Sequence, residues 1–262
     1  MTIYIKELKQ EMKAFCIWTA AIAFMMLICI MMFPEMKGEM DSVSDVFANM
    51  GGFTAAFGMD KLSFGELMGF YGIECGNIIG LGGGFFAALA GISALSKEEK
   101  DRTAEFLLTH PVSRFSVVTQ KLLSVLTQVI LMNAAVAAVS YAAAAVIGEE
   151  LRIKEFLLLH IAYLFMQLEI SCICFGISAF IKRGSIGIGL GLALAFYFLN
   201  IVRNISEKAD FLRCITPYAY AEASSIISEA KLEWGLIAVG AVVAAVGACV
   251  GYIRYLKKDI AA

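Results

Sequence analysis

Few side chains in this sequence could do chemistry away from water. Glu169 stands in an otherwise apolar run, Phe156 to Ile181, with Gln167 and Ser171 beside it, and Asn133 falls at similar depth in another run. A carboxylate at such depth is costly unless paired, hydrated or protonated. Glu169, Gln167 and Asn133 could therefore mark a polar point on a translocation path, or a proton- or cation-linked site. The competing reading is a neutral acid hydrogen-bonded to a neighbouring helix, with Asn133 as one available partner. Glu74 reads as an interfacial residue. Nothing resembles a metal or nucleophile site: Cys172 and Cys174 are two apart on a helix, point to nearly opposite faces and cannot share a metal. His110 and His160 lack accompanying carboxylates. Seven Cys make no disulfide framework, although Cys75 and Cys214 fall near the same surface and a bond between them is open. The Gly80 to Gly84 stretch has no following Lys and is not a phosphate loop. With Gly72 and Gly76 it instead places a glycine every fourth residue, one smooth helix face for close packing.

The elements that position these residues follow from composition. The chain has 262 residues, 60% hydrophobic and 17% charged, with mean hydropathy +0.78. A soluble globular domain carries about one quarter charged residues, and a disordered chain is not rich in Phe and Met, so both classes are excluded. Six apolar stretches, approximately 14–33, 72–96, 118–148, 156–181, 184–204 and 234–255, are each long enough to cross ~30 Å of hydrocarbon as a helix. The expected fold is all-α: one polytopic transmembrane domain, 1–262, with six spans. The first run is too long for a removable signal peptide and lacks its cleavage site. Between spans, Pro34 to Glu74 and Arg203 to Glu233 are long and carry apolar residues such as Val46, Phe47, Phe53 and Phe57. They predict short helices at the outer face, against the alternative of plain surface loops. Six spans put both termini on one side; thirteen of the 21 Lys and Arg fall there and eight opposite, which predicts cytoplasmic termini.

Between spans two and three, Ser96 followed by Glu99 reads as a capping box. Ala104, Phe106, Leu107 and Leu108 then supply apolar surface beside Lys100, Asp101, Arg102 and Glu105, and Pro111 ends the segment. A short amphipathic cytoplasmic helix is expected, able by itself to lie among lipid headgroups.

The run E-K-D-R-T-A-E-F-L-L-T-H-P-V-S-R, Glu99 to Arg114, followed by Lys121, resembles the signature of type-2 ABC exporter permeases, with Arg102 where many members have Gly. Weaker likeness extends to the lead K-E-L-K-Q-E-M-K, to T-P-Y-A-Y-A-E-A at Thr216 to Ala223, and to K-K-D-I at Lys257 to Ile260. The resemblance implies a membrane subunit that pairs with a second permease, as homodimer or heterodimer, and with two cytoplasmic ATPase subunits that hold ATP and Mg. The chain itself would bind no cofactor or nucleic acid and would not be an enzyme. Glu99, Arg102, Thr103, Glu105, Phe106, Leu107, Leu108, Pro111 and Arg114 would belong to the coupling helix seated in an ATPase groove. Ile3 to Phe15 would be an elbow helix along the inner leaflet, with Lys6, Lys9 and Lys13 facing anionic membrane lipid. Thr216 to Ala223 would form a re-entrant outer region before the last span. The location implied is the cell membrane. Other classes are a self-sufficient secondary transporter using Glu169, an intramembrane enzyme, or an accessory membrane subunit. The missing catalytic constellation counts against an enzyme, and the single deep carboxylate counts against a secondary transporter.

Overall fold

The computed structural model describes residues 2–38, 52–56, 59, 62–97, 112–181 and 186–257, and among these there is no strand. In chain order the helices are α1 (Thr2–Lys37), α2 (Gly52–Ala56), α3 (Leu67–Ser93), α4 (Arg114–Ile147), α5 (Ile153–Ser178), α6 (Ile186–Ile205), α7 (Ala223–Glu229) and α8 (Trp234–Lys257). Two 3-10 helices, Glu207–Cys214 and Pro217–Ala221, lie between α6 and α7. All except α2 and α7 are long and apolar enough to cross a membrane, which gives the six spans expected. Local signals set their ends. Ser113 caps α4 by accepting a hydrogen bond from the Ser116 amide, and Gly148 closes it with φ 72°, a left-handed turn that glycine adopts at little cost.

Helix α5 forms the axis of the bundle. It packs on α3, α4, α8 and the Pro217–Ala221 turn, while α1 runs beside α4 and α6 beside α3. Helices α3 and α5 are the most enclosed; α1, α6 and α8 expose apolar side chains such as Phe24, Phe198 and Val242 outward. Glycines set the α5–α8 crossing. A Cβ on Gly247 would lie 2.8 Å from the Cys172 carbonyl oxygen, and one on Gly176 would strike the Gly247 carbonyl. Gly251 similarly makes room for the Phe175 ring.

Helix α3 begins at Leu67, five residues before the expected edge, and it is not uniformly α-helical. Tyr71–Cys75 and Ile78–Gly82 are π-helical turns, with Gly76 and Asn77 between them. The glycine face does permit close approach, but what approaches is largely aromatic. A Cβ on Gly76 would meet the Tyr163 hydroxyl at 2.7 Å, and one on Gly84 would strike the Tyr218 hydroxyl.

The expected elbow is not a separate element. Ile3 to Phe15 is the beginning of α1, continuous with the span, and it runs alongside α4 in the same direction: Tyr4 pairs with Gln120 and Thr127 at one end, and Lys37 with Glu149 at the other. These pairs, together with buried Ile3 and Glu7, hold the stretch against α4, while Lys6, Lys9 and Lys13 are exposed. Of the first long loop, Phe53 lies in α2, whereas Val46, Phe47 and Phe57 lie outside the described residues. The second long loop is helical almost throughout, as α7 and the two 3-10 helices. Cys75 is buried in α3 and Cys214 is exposed, and both are free, so the structure contains no bond between them.

Gly247→Val should lower the melting temperature of the purified protein in detergent by several degrees, whereas Gly235→Val, at a glycine with open space around it, should not. Equal melting curves for the two variants would contradict the crossing geometry.

Candidate functional site

Three polar groups of residues are built into the bundle. The first lies at the end where α1 begins and α8 ends. Lys121 is 1% exposed. Its ammonium donates to Glu7 Oε1 at 3.0 Å and to the Ala94 carbonyl at 2.9 Å. Lys97 stands 3.6 Å from Glu7 Oε2 and 2.6 Å from Glu11 Oε1. Spacing accounts for the convergence: Glu7 and Glu11 are one turn apart on the same face of α1, Lys97 ends the described part of the α3 connection, and Lys121 is in the second turn of α4. Charges removed from water need partners, and here two carboxylates and two ammoniums supply each other. Lys97 and Lys121 also flank the segment expected to form a coupling helix. Its residues Glu99, Arg102, Thr103, Glu105, Phe106, Leu107, Leu108 and Pro111 lie outside the described residues. Arg114 opens α4 and donates to the Leu256 carbonyl of α8 at 3.4 Å. Ser96, expected as an N-cap, is buried and donates its hydroxyl back to the Ile92 carbonyl at 2.9 Å.

The second group comprises the deep polar residues, and the structure separates them. Asn133 bonds to Gln167, which also donates to the Ile79 carbonyl at 3.2 Å. Glu169 is not bonded to Asn133. It accepts from the Tyr220 hydroxyl at 2.8 Å, on another side of α5, because two residues along a helix turn the side chain by more than half a circle. Glycines make room for both: a Cβ on Gly83 would overlap the Gln167 amide, and one on Gly240 would overlap the Glu169 carboxylate. Burial holds the Tyr220 phenol well above the ordinary tyrosine value, so the phenol remains a donor. His160 takes part in a separate contact, 2.7 Å from the Tyr71 hydroxyl. Among the described residues no cluster of His, Cys, Asp and Glu could hold a metal.

The third group surrounds Thr216 to Ala223, at the opposite end of the bundle from the Glu7–Lys121 pair. The Thr216 hydroxyl donates to the Phe196 carbonyl at 2.8 Å and accepts from the Tyr218 amide at 3.3 Å, starting the 3-10 turn with Pro217 in its first position. Pro217 through Ala221 are all buried, so the segment folds back into that end of the bundle. Glu222, which follows, accepts the side-chain amides of Asn200 at 3.1 Å and Asn204 at 3.0 Å, and Arg203 lies 3.7 Å away. Sequence reasoning singled out none of these four. The available signal was Asn200 and Asn204 one turn apart near the end of an apolar span, with Glu222 inside the motif that follows.

Six apolar spans, with Asn133, Gln167 and Glu169 each given a partner between them, describe a multi-pass membrane protein. A family model described as ABC-2 family transporter protein matches residues 1–260, and the chain belongs to that family. Its members are membrane components of ABC transporters, and membership implies association with ABC ATPase subunits. No curated protein matches the chain.

Glu7→Gln should be more disruptive than Lys121→Met. The first takes the Glu7 carboxylate from a buried ammonium, at a cost of up to about 3 kcal/mol, whereas the second leaves Glu7 beside Lys97. Chemical denaturation in detergent measures both; a milder Glu7→Gln would show that the pair does not carry the expected charge burden. Tyr220→Phe should destabilise by about 1–3 kcal/mol by leaving Glu169 Oε2 without its donor, and the same denaturation series reads it.

Proposed function

We propose that this chain is the permease of an ABC exporter, moving its substrate outward with energy from ATP hydrolysed on separate ATPase subunits. The observation that carries this reading is the family membership along residues 1–260, joined to the signature at Glu99 to Arg114. Both termini lie in the cytoplasm of a cell-membrane protein, and two permeases, identical or different, share two ATPases that bind ATP and Mg.

Ser96 to Pro111 act as the coupling helix. Phe106, Leu107 and Leu108 fill an ATPase groove while Glu99, Arg102, Thr103, Glu105, Pro111 and Arg114 set its register and ends. ATP binding closes the ATPases together and displaces that helix. What supports transmission onward is the pinning of both its flanks: Lys97 and Lys121 bond to Glu7 and Glu11 of α1, so movement of the segment reaches α1 and α4 together. Charged side chains buried in a matched network resist separation, because pulling one away leaves the others unpaired. The chain then rocks its spans about α5. In this cycle Glu169 accepts the Tyr220 hydrogen bond and is not a proton carrier.

The test is co-purification of the permease with an ABC ATPase from the same cell, followed by measurement of ATP hydrolysis. Phe106→Asp with Leu107→Asp should abolish association or reduce permease-dependent ATP hydrolysis to that of the ATPase alone. An intact, fully active complex would exclude the coupling role. Glu169→Gln retains an oxygen for Tyr220 and should leave ATP-driven activity within about twofold of wild type, since the acceptor that Tyr220 meets is kept. A large loss would instead place a charge or proton on Glu169 in the transport cycle.

A further inference from the structure

We propose that the face of α3 between α1 and α6 receives a lipophilic organic cation, with the Glu74 carboxylate as its counter-charge. In the transport reading, on which this rests, such cations are the class of molecule that the chain carries.

The sequence suggests an interfacial Glu74, and the structure sets it deeper. It stands about 10 Å along α3 from the start of that helix at Leu67. Its charge acts on the Cys29 thiol of α1, a residue inside the apolar run 14–33. In the π-helical turn Tyr71–Cys75 the other four residues are buried, and Glu74 alone is half-exposed. Its carboxylate makes no hydrogen bond or ion pair among the described residues. A carboxylate left against lipid at such depth is costly, so a positive charge or water must meet it. The spans bring no cation to that level. Lys121 and Arg254 stand toward the opposite end of the bundle, and Arg203 is engaged with Glu222. A second copy of the chain carries the same set and supplies none from its spans either.

The surface beside Glu74 specifies the rest of the ligand. Helices α1 and α6 both pack on α3 and scarcely on each other. Ile22 of α1 approaches Gly82, and Tyr197 of α6 donates its hydroxyl to Asn77 Oδ1 at 3.1 Å. Between these two contacts Ile78, Leu81 and Phe85 follow Glu74 at spacings of three and four, each partly exposed, along one face of α3. The result is a strip with one negative charge near the start of α3 and apolar surface running on from it. An alkali ion gains nothing from the apolar part, and a neutral lipid gains nothing from the charge. A cation with an apolar body matches both, and the Phe85 ring adds aromatic surface of the kind that attracts such ions.

The site is tested on the full chain in lipid nanodiscs without any ATPase, so a failure here leaves the ATP-hydrolysis test of the transport reading intact. Binding of radioactive tetraphenylphosphonium is measured against empty nanodiscs, and tetraphenylborate, an anion of the same shape, is measured separately. Phosphonium should bind saturably and borate should not exceed the empty nanodiscs. Glu74→Gln should raise the phosphonium Kd at least about tenfold, the effect of losing a close opposite charge at a site of low dielectric. Ile78→Arg places a cation one turn from Glu74, where it pairs with the carboxylate and should abolish binding; it gives a second reading where Glu74→Gln does not fold. The proposal is overturned if phosphonium binds no better than borate, as an uncharged Glu74 facing lipid would give. It is equally overturned if either variant binds as wild type does, or if no saturable binding is found, as a second copy closing over the strip would give.

Discussion

A polar side chain buried within a membrane span needs both a partner and space for it, and α5 carries two such side chains two residues apart. Because Gln167 and Glu169 face different neighbours, each imposes its own environment. Gln167 requires Asn133 of α4, the Ile79 carbonyl of α3 and the missing side chain of Gly83. Glu169 requires Tyr220 from the folded-back segment and the missing side chain of Gly240 in α8. Four elements are thereby fixed in rotation and height about one helix. Lipid supplies no driving force for packing apolar helix against apolar helix, so such pairings and the close glycine crossings must provide much of the specificity.

The same logic operates at the other end of α5 with full charges in place of amides. Glu7, Glu11, Lys97 and Lys121 come from three elements that are remote in sequence, and the two buried ones, Glu7 and Lys121, pair with each other while half-exposed Lys97 and Glu11 extend the network. Their joint burial joins the start of α1 to both flanks of residues 98–111. For the function proposed, this matters more than stability. A loose flank would let a displaced segment move without its spans, and ion pairs at both flanks resist that.

The all-helical fold and the six spans were legible because backbone groups in hydrocarbon must be satisfied within the segment, so run length alone reports a helix. Edges beyond the hydrocarbon were less legible. Hydropathy says nothing about how far α1 continues past the membrane, and Tyr4, Glu7 and their partners on α4 decide it, which is why Ile3 to Phe15 extends the span. The glycine face of α3 was readable from its spacing, but the tyrosines that fill it come from elements far along the chain. Likewise Glu169 announced a need for a partner without naming Tyr220 over Asn133, since depth along a span does not specify facing. Glu222 with Asn200 and Asn204 escaped notice because polar residues near a span end look like ordinary interface residues until the segment folds inward.

The π-helical turns of α3 have a consequence for how this chain tolerates changes in length. Each arises when a helix accommodates one residue more than its neighbours' register requires. Deleting a residue from an ordinary span rotates everything beyond it by about 100° and misplaces a whole face. In α3, removal of one residue within Tyr71–Cys75 or Ile78–Gly82 could instead be absorbed by tightening that turn to α-helix, with the residues on either side kept in place. The stretch of α3 from Tyr71 to Gly82 is thus also where the protein can lose a residue at least cost to the rest of its packing.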